Sequence, residues 1–140
     1  RLSNVIGRGD SFSKKKNALQ YLAEQITNHN PIDLYYDGEF IRDYIHVHDA
    51  CRAMMHLLNH GPINTITNIG RGLPVRFRYL IDYLMESTNS KSSINPIDPP
   101  TFHKTVQVKD MYLDISRLSA TGFEHEVSLE EALIEIVQEG

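Results

Sequence analysis

The sequence predicts an α/β fold, with small mixed sheets carrying about four main helices. Two observations predict it. Short runs rich in β-branched and aromatic residues alternate along the chain with longer runs whose apolar residues recur at helical spacing. The 140 residues suffice for one domain with a real core, and 41% apolar with 23% charged residues is an ordinary globular composition.

Arg1 to Ile6 reads as a strand, ended by the glycines of Gly7-Arg8-Gly9-Asp10. A chain that begins inside a strand, without Met, reads as a piece of something longer. The first helix is expected from about Ser13 to Asn28, capped by Ser11 or Ser13, with Ala18, Leu19, Leu22, Ala23 and Ile26 as its buried stripe. Asn28-His29-Asn30-Pro31 stops it, and Ile32 to Tyr36 is a strand. Asp37-Gly38 is a turn pair. Phe40 to Val47 reads as the next strand, a neighbour or hairpin partner of the last.

Asp49 is placed to cap a helix running to about Asn59, with Ala50, Ala53, Met54, Leu57 and Leu58 inward and Cys51 a small buried residue among them. Gly61-Pro62 ends it. Ile63 to Ile69 alternates as a strand covered on both faces would. Gly70 to Pro74 is a loop. The next helix spans about Phe77 to Glu86 and turns Phe77, Leu80, Ile81 and Leu84 inward. Ile94 to Ile97 is a strand stopped by Asp98-Pro99-Pro100, and Thr101 to Lys109, without a firm period, reads as a loop. Met111 to Ile115 reads as extended, and Ser116 to Ala120 as a helical turn stopped by Gly122. Ser128-Leu129-Glu130-Glu131 is a capping box that opens the last helix, to about Gln138, with Leu129, Leu133, Ile136 and Val137 inward.

Composition narrows the function. A formal net charge of −4 gives no support to nucleic-acid binding, and the one basic cluster, Lys14-Lys15-Lys16, reads as a solvated helix face. No apolar run is long enough to cross a bilayer and no secretory signal is visible. A single cysteine excludes an intrachain disulfide and fits a reducing, cytoplasmic compartment.

Three constellations could carry chemistry. His46-Val47-His48-Asp49 suggests a metal site, but a strand puts the two histidines on one face and Asp49 on the other, with no third ligand. Hydrogen-bonded or surface histidines are favoured, and a metal-dependent hydrolase using His46 and His48 stands behind that reading. Gly70-Arg71-Gly72 reads first as a turn and second as a phosphate cradle. None of the seven tyrosines has a Lys four residues on, no dinucleotide glycine pattern occurs, and no Ser sits in a nucleophile elbow. Anion recognition is what remains. Lys104 and Lys109 read as surface ion pairs, while Arg42 is either paired or awaiting an anion.

The order of these motifs resembles a known family. Arg1-Leu2-Ser3-Asn4-Val5-Ile6-Gly7-Arg8-Gly9 resembles the Arg-x-x-Asn-Val-Tyr-Gly-Pro-Gly segment of nucleotide-sugar epimerases and dehydratases, the extended short-chain dehydrogenase/reductases. Asp37-Gly38 with Arg42-Asp43-Tyr44-Ile45-His46-Val47-His48-Asp49 is similar to their Asp-Gly…Arg-Asp-Phe-Ile-x-Val-x-Asp. Asn68-Ile69-Gly70-Arg71-Gly72 is similar to their Asn-x-Gly-x-Gly, and Asp114-Ile115-Ser116-Arg117, Gly122-Phe123 and Ser128-Leu129-Glu130-Glu131 resemble their closing motifs.

The resemblance implies that residues 1–140 are the C-terminal, substrate-binding half of an NAD(P)-dependent enzyme that takes a hydride from a sugar and returns it. The NAD or NADP and the Tyr-Lys pair would belong to an N-terminal Rossmann half, so no cofactor is expected here and this chain alone is expected to be inactive. Carried over by position, Asn4 and Arg42 would bind the nucleotide-diphosphate sugar, with Lys104 near a second phosphate-binding position. Asp43 would orient the arginine. Ile6, Arg8, Phe40 and Arg117 depart from the family's usual residues, which leaves the sugar open. Expected partners are the nucleotide sugar and the missing half, with self-association through the face that half would cover. A stand-alone binding module is the alternative.

Overall fold

The computed structural model describes residues 1–8 and 17–138. Three two-stranded sheets carry the strands. β1 (Asn4–Ile6) runs parallel to β4 (Tyr44–His46), with Asn4 opposite Tyr44 and Ile6 opposite His46. β2 (Ile32–Tyr35) runs parallel to β6 (Ile94–Ile97). β3 (Ile41–Arg42) runs antiparallel to β5 (Val75–Arg76). The helices among the described residues are α1 (Ala18–Thr27), α2 (Val47–His60), α3 (Phe77–Ser87), α4 (Thr101–Val106), α5 (Ser116–Ala120) and α6 (Leu129–Val137). The α/β class with small mixed sheets is as expected, and α1, α2, α3 and α6 are the four main helices.

Hydrophobic patterning explains where the helices sit. α1 buries Leu19, Leu22, Ala23 and Ile26, and α3 buries Phe77, Leu80, Ile81 and Leu84. α6 adds Leu129, Ala132, Leu133 and Ile136. These stripes meet in one core with Ile32 and Leu34 of β2 and Ile6 of β1. Each fully buried aliphatic side chain contributes roughly 1.5–3 kcal/mol, so this cluster dominates the stability. A second core joins Ile45, Ala50, Ala53, Ile69, Leu118 and Phe123. Ser128 and Glu131 form the expected capping box: the Ser128 hydroxyl accepts from the Glu131 amide at 3.1 Å, and Glu131 accepts from the Ser128 amide at 2.7 Å. Asn17 caps α1, its side-chain oxygen accepting from the amides of Leu19 and Gln20. The Ser11, Ser13 and lysine-cluster expectations lie outside the described residues.

Several expectations are corrected. The strand expected over Phe40 to Val47 is two short strands with different partners, and neither pairs with β2. Ile63 to Ile69 is not a strand. Ile63 is 86% and Ile66 56% exposed, and only Ile69 makes a bridge, to Leu2. Alternation says which residues could be buried, but a strand also needs an edge to pair with, and Leu2 offers one residue's worth. Thr101 to Lys109 contains α4, which buries none of its residues and so leaves no apolar stripe in the sequence. Met111 to Ile115 forms no strand.

α2 starts two residues earlier than expected. His46 is its cap, Nδ1 accepting from the His48 amide at 3.3 Å. Met54 and Leu58 are exposed, as is Cys51. Asp49 is therefore not the cap. Its fully buried carboxylate accepts from the amides of Glu126 at 3.0 Å and Val127 at 2.9 Å, and from Arg52 Nη1 at 2.8 Å. Burial by itself would raise the Asp49 pKa. The two amides and Arg52, with the His125 charge, outweigh it and hold the carboxyl below the usual range.

A lowered folded pKa contributes stability that is present above the unfolded Asp value of about 3.9 and is lost as pH falls through the folded one. Urea midpoints measured from about pH 6 down to about pH 2 should fall on acidification. Asp49→Asn should start with a lower midpoint and fall less steeply. Parallel curves for the two proteins would contradict the assignment.

Candidate functional site

The site is a cleft of about 1000 Å³ whose lining includes Asn4, Tyr35, Tyr36, Phe40, Arg42 and Lys109. β3 positions Arg42. Phe40 stacks on the buried ring of Phe77, centroids 4.8 Å apart, and the Arg42 guanidinium lies 4.7 Å over the Phe40 ring. Arg42 donates to the carbonyls of Ile41 at 2.8 Å and Val108 at 3.3 Å, and to that of Lys109. No carboxylate among the described residues lies within 4.0 Å of it. Carbonyls satisfy donors without cancelling charge, so the guanidinium faces the cleft as a net cation held between a ring and the main chain.

Asp43, the next residue, does not orient it. It lies in the link between β3 and β4 and is fully buried in the fold. Its carboxylate accepts from the amides of Arg71 at 3.0 Å, Gly72 at 3.1 Å and Leu113 at 3.2 Å. The Gly70-Arg71-Gly72 loop is thus an anion cradle, and its anion is internal. Gly70 has to be glycine for this contact, since a Cβ there would sit 2.6 Å from Asp43 Oδ2.

Of the residues expected from the sequence, Asn4 and Arg42 come together in the cleft lining. The Asn4 amide group donates to the Asp43 carbonyl at 3.1 Å, which leaves its side-chain oxygen for another donor. Lys104 is elsewhere, on α4, with its ammonium 3.3 Å from Asp98 in an exposed pair. Tyr44, also on the lining, is buried, which pushes its phenol well above the ordinary value although the Arg42 charge opposes the shift. His46 and His48 diverge: His46 is buried with Nε2 3.1 Å from Glu135, and His48 is exposed with Nε2 3.1 Å from Glu126. Among the described residues no three His, Cys, Asp or Glu side chains are grouped to hold a metal.

Tyr35, Tyr36 and His103 also line the cleft, and no sequence motif marks them. His103 meets Tyr35 edge-on at 5.9 Å, and its buried Nδ1 has no hydrogen-bond partner among the described residues. Tyr36 takes φ 52° and Asp37 φ 53°. Left-handed backbone costs a non-glycine residue on the order of 1–2 kcal/mol. The turn is where Asp37-Gly38 predicts it, but nothing in residue type flags the tyrosine ahead of that pair for left-handed backbone.

Comparison with known proteins agrees with this frame. A family model described as the NAD dependent epimerase/dehydratase family matches residues 1–70, half of the chain. The chain belongs to that family. It is 30% identical over 139 residues to a dTDP-4-dehydro-6-deoxyglucose reductase of Escherichia coli, covering 99% of this chain and 43% of that protein. A crystal structure of UDP-glucose 4-epimerase from Thermotoga maritima with UDP-glucose is 27% identical, with a TM-score of 0.87 over 99% of this chain and 43% of that one. The Thermus thermophilus UDP-glucose 4-epimerase complexed with NAD shares the fold at 22% identity and a TM-score of 0.83, over 99% of this chain and 44% of that one. This family member thus spans less than half the length of the relatives it matches.

In this family member the Asp43 contacts should be worth more than any one exposed ion pair. Asp43→Ala leaves three partly buried amides without the acceptor they share. It should lower unfolding free energy by about 3–5 kcal/mol, read as a shifted urea midpoint at unchanged slope. A loss below about 1 kcal/mol would mean that the cradle is not a structural anchor.

Proposed function

We propose that residues 1–140 are the substrate-binding part of an NAD(P)-dependent nucleotide-sugar epimerase or dehydratase, and that the cleft receives the diphosphate of the nucleotide sugar. The observation that carries this is Arg42: a guanidinium on the cleft wall, oriented by carbonyls and a ring and opposed by no carboxylate among the described residues. A planar fork of donors suits a phosphate pair. Asn4 lies in the same lining and has a side-chain oxygen to offer a sugar hydroxyl. Lys104 would have to leave Asp98 to contribute, and exposed pairs are weak enough to allow it.

In this scheme the cleft supplies binding energy and orientation, holding the diphosphate so that the sugar meets the nicotinamide. The dinucleotide and the Tyr-Lys pair belong to a Rossmann half that residues 1–140 do not include. Support comes from the family match and from the UDP-glucose named with the Thermotoga relative.

The test is a calorimetric titration of the 140-residue chain with uridine diphosphate. Arg42→Ala should weaken binding by about ten- to a hundredfold, the worth of charge-assisted hydrogen bonds. Its unfolding free energy should move by less than about 1 kcal/mol, since its carbonyl contacts lie at or near the surface. Unchanged affinity would remove Arg42 from the site.

A second prediction concerns partners. Met54, Met55, Leu58, Ile63 and Ile66 are all exposed within one short stretch. That apolar stretch fits a surface covered by the remainder of the enzyme. Sedimentation of the isolated chain should show mass above 16.0 kDa that rises with concentration. Leu58→Lys should shift the chain toward monomer, and a native chain that stays monomeric at every concentration would contradict the reading.

A further inference from the structure

The most unusual backbone in the cleft belongs to Tyr36. Three consecutive residues, Tyr36, Asp37 and Gly38, have positive φ, at 52°, 53° and 76°. Gly38 has no alternative, because a Cβ there would lie 2.8 Å from the Arg78 main chain. Asp37 belongs to a residue type that tolerates the conformation, and its carboxylate is held by Arg78 Nη1 at 2.6 Å. Tyr36 has neither excuse. Strain that persists in a ligand cleft points to a use for the side chain it carries.

Its ring faces a cation. Lys109 Nζ stands 5.3 Å from the Tyr36 ring centroid, both residues line the cleft, and no carboxylate among the described residues pairs with Lys109. The carbonyl of Lys109 accepts from Arg42 Nη1. Asp110 Oδ1 accepts from the Ile41 amide at 2.8 Å, and the Met111 amide donates to the Ile41 carbonyl at 3.0 Å. Segment 108–111 is therefore laced along β3, with the ammonium and the guanidinium on the same cleft. An aromatic face attracts an ammonium without neutralising it. A carboxylate in its place would hold Lys109 equally well and cancel its charge.

We propose that Tyr36 is a positioning residue, which holds the Lys109 ammonium over the cleft as a second cation for a nucleoside diphosphate. The assignment rests on the cleft being the diphosphate site. It makes Lys109, rather than Lys104, the partner of Arg42.

The experiment is a double-mutant cycle on the 140-residue chain, titrated with uridine diphosphate by calorimetry. Lys109→Met should weaken binding roughly five- to tenfold, as loss of one charged contact does. Tyr36→Gly should weaken it by less and raise the urea midpoint, because glycine relaxes the backbone. Tyr36→Phe keeps the ring and should keep the affinity. In the Lys109→Met background, Tyr36→Gly should cost no further affinity. Two results overturn the proposal: Lys109→Met with native affinity while Arg42→Ala is weakened, or a Tyr36→Gly loss that persists undiminished without Lys109. No uridine diphosphate binding by the native chain overturns the diphosphate reading itself, and this proposal with it.

Discussion

The Asp43 carboxylate, buried and held by three main-chain amides, is the contact on which the site depends. Its donors come from Arg71, Gly72 and Leu113, far from Asp43 in the chain. Its own carbonyl accepts from both the main-chain and side-chain amides of Asn4. One residue thus ties β1, the loop after Ile69 and the approach to α5 to the link between β3 and β4. Hydrogen bonds to an ionised group contribute about 1.5–3 kcal/mol each, and desolvation of the charge offsets part of that. Asp43 is buried in the fold while Arg42, its neighbour at the end of β3, lines the cleft.

Asp49 repeats the device on the other side of His46. Its carboxylate holds the amides of Glu126 and Val127, immediately ahead of the α6 cap, and pairs with Arg52. The two carboxylates fasten long-range segments to β4 and α2, the part of the chain with the second core. The rigid side of the site is therefore built from satisfied buried charge. The cleft side carries Arg42, with no carboxylate partner among the described residues, His103, whose Nδ1 has no hydrogen-bond partner among them, and Tyr36 in left-handed backbone.

Much of the fold was legible. The stripes of α1, α3 and α6 were readable because each helix turns its apolar residues toward one core, and the Ser128–Glu131 box is a local pattern that needs nothing remote. α4 was invisible because it buries nothing, and Ile63 to Ile66 misled because an alternating pattern cannot report whether an edge is available. The apolar character of Cys51, Met54 and Leu58 predicts burial, but α2 covers only a narrow stripe centred on Ala50 and Ala53.

For the site, the sequence by itself determined the residue types: an arginine in a strand beside an aspartate, an asparagine on an earlier strand, and motifs in the order of one enzyme family. It could not say which partner each charge would take, because hydrogen-bond partners remote in the chain are set by how the segments pack. Only the tertiary structure decided that Asp43 faces the Gly70-Arg71-Gly72 amides rather than Arg42, that Asp49 holds a distant loop rather than capping its own helix, and that Lys104 sits with Asp98. The physical reason is common to all three. A charged group goes to whatever partners the packed chain brings within about 3 Å, and neighbours in sequence have no priority.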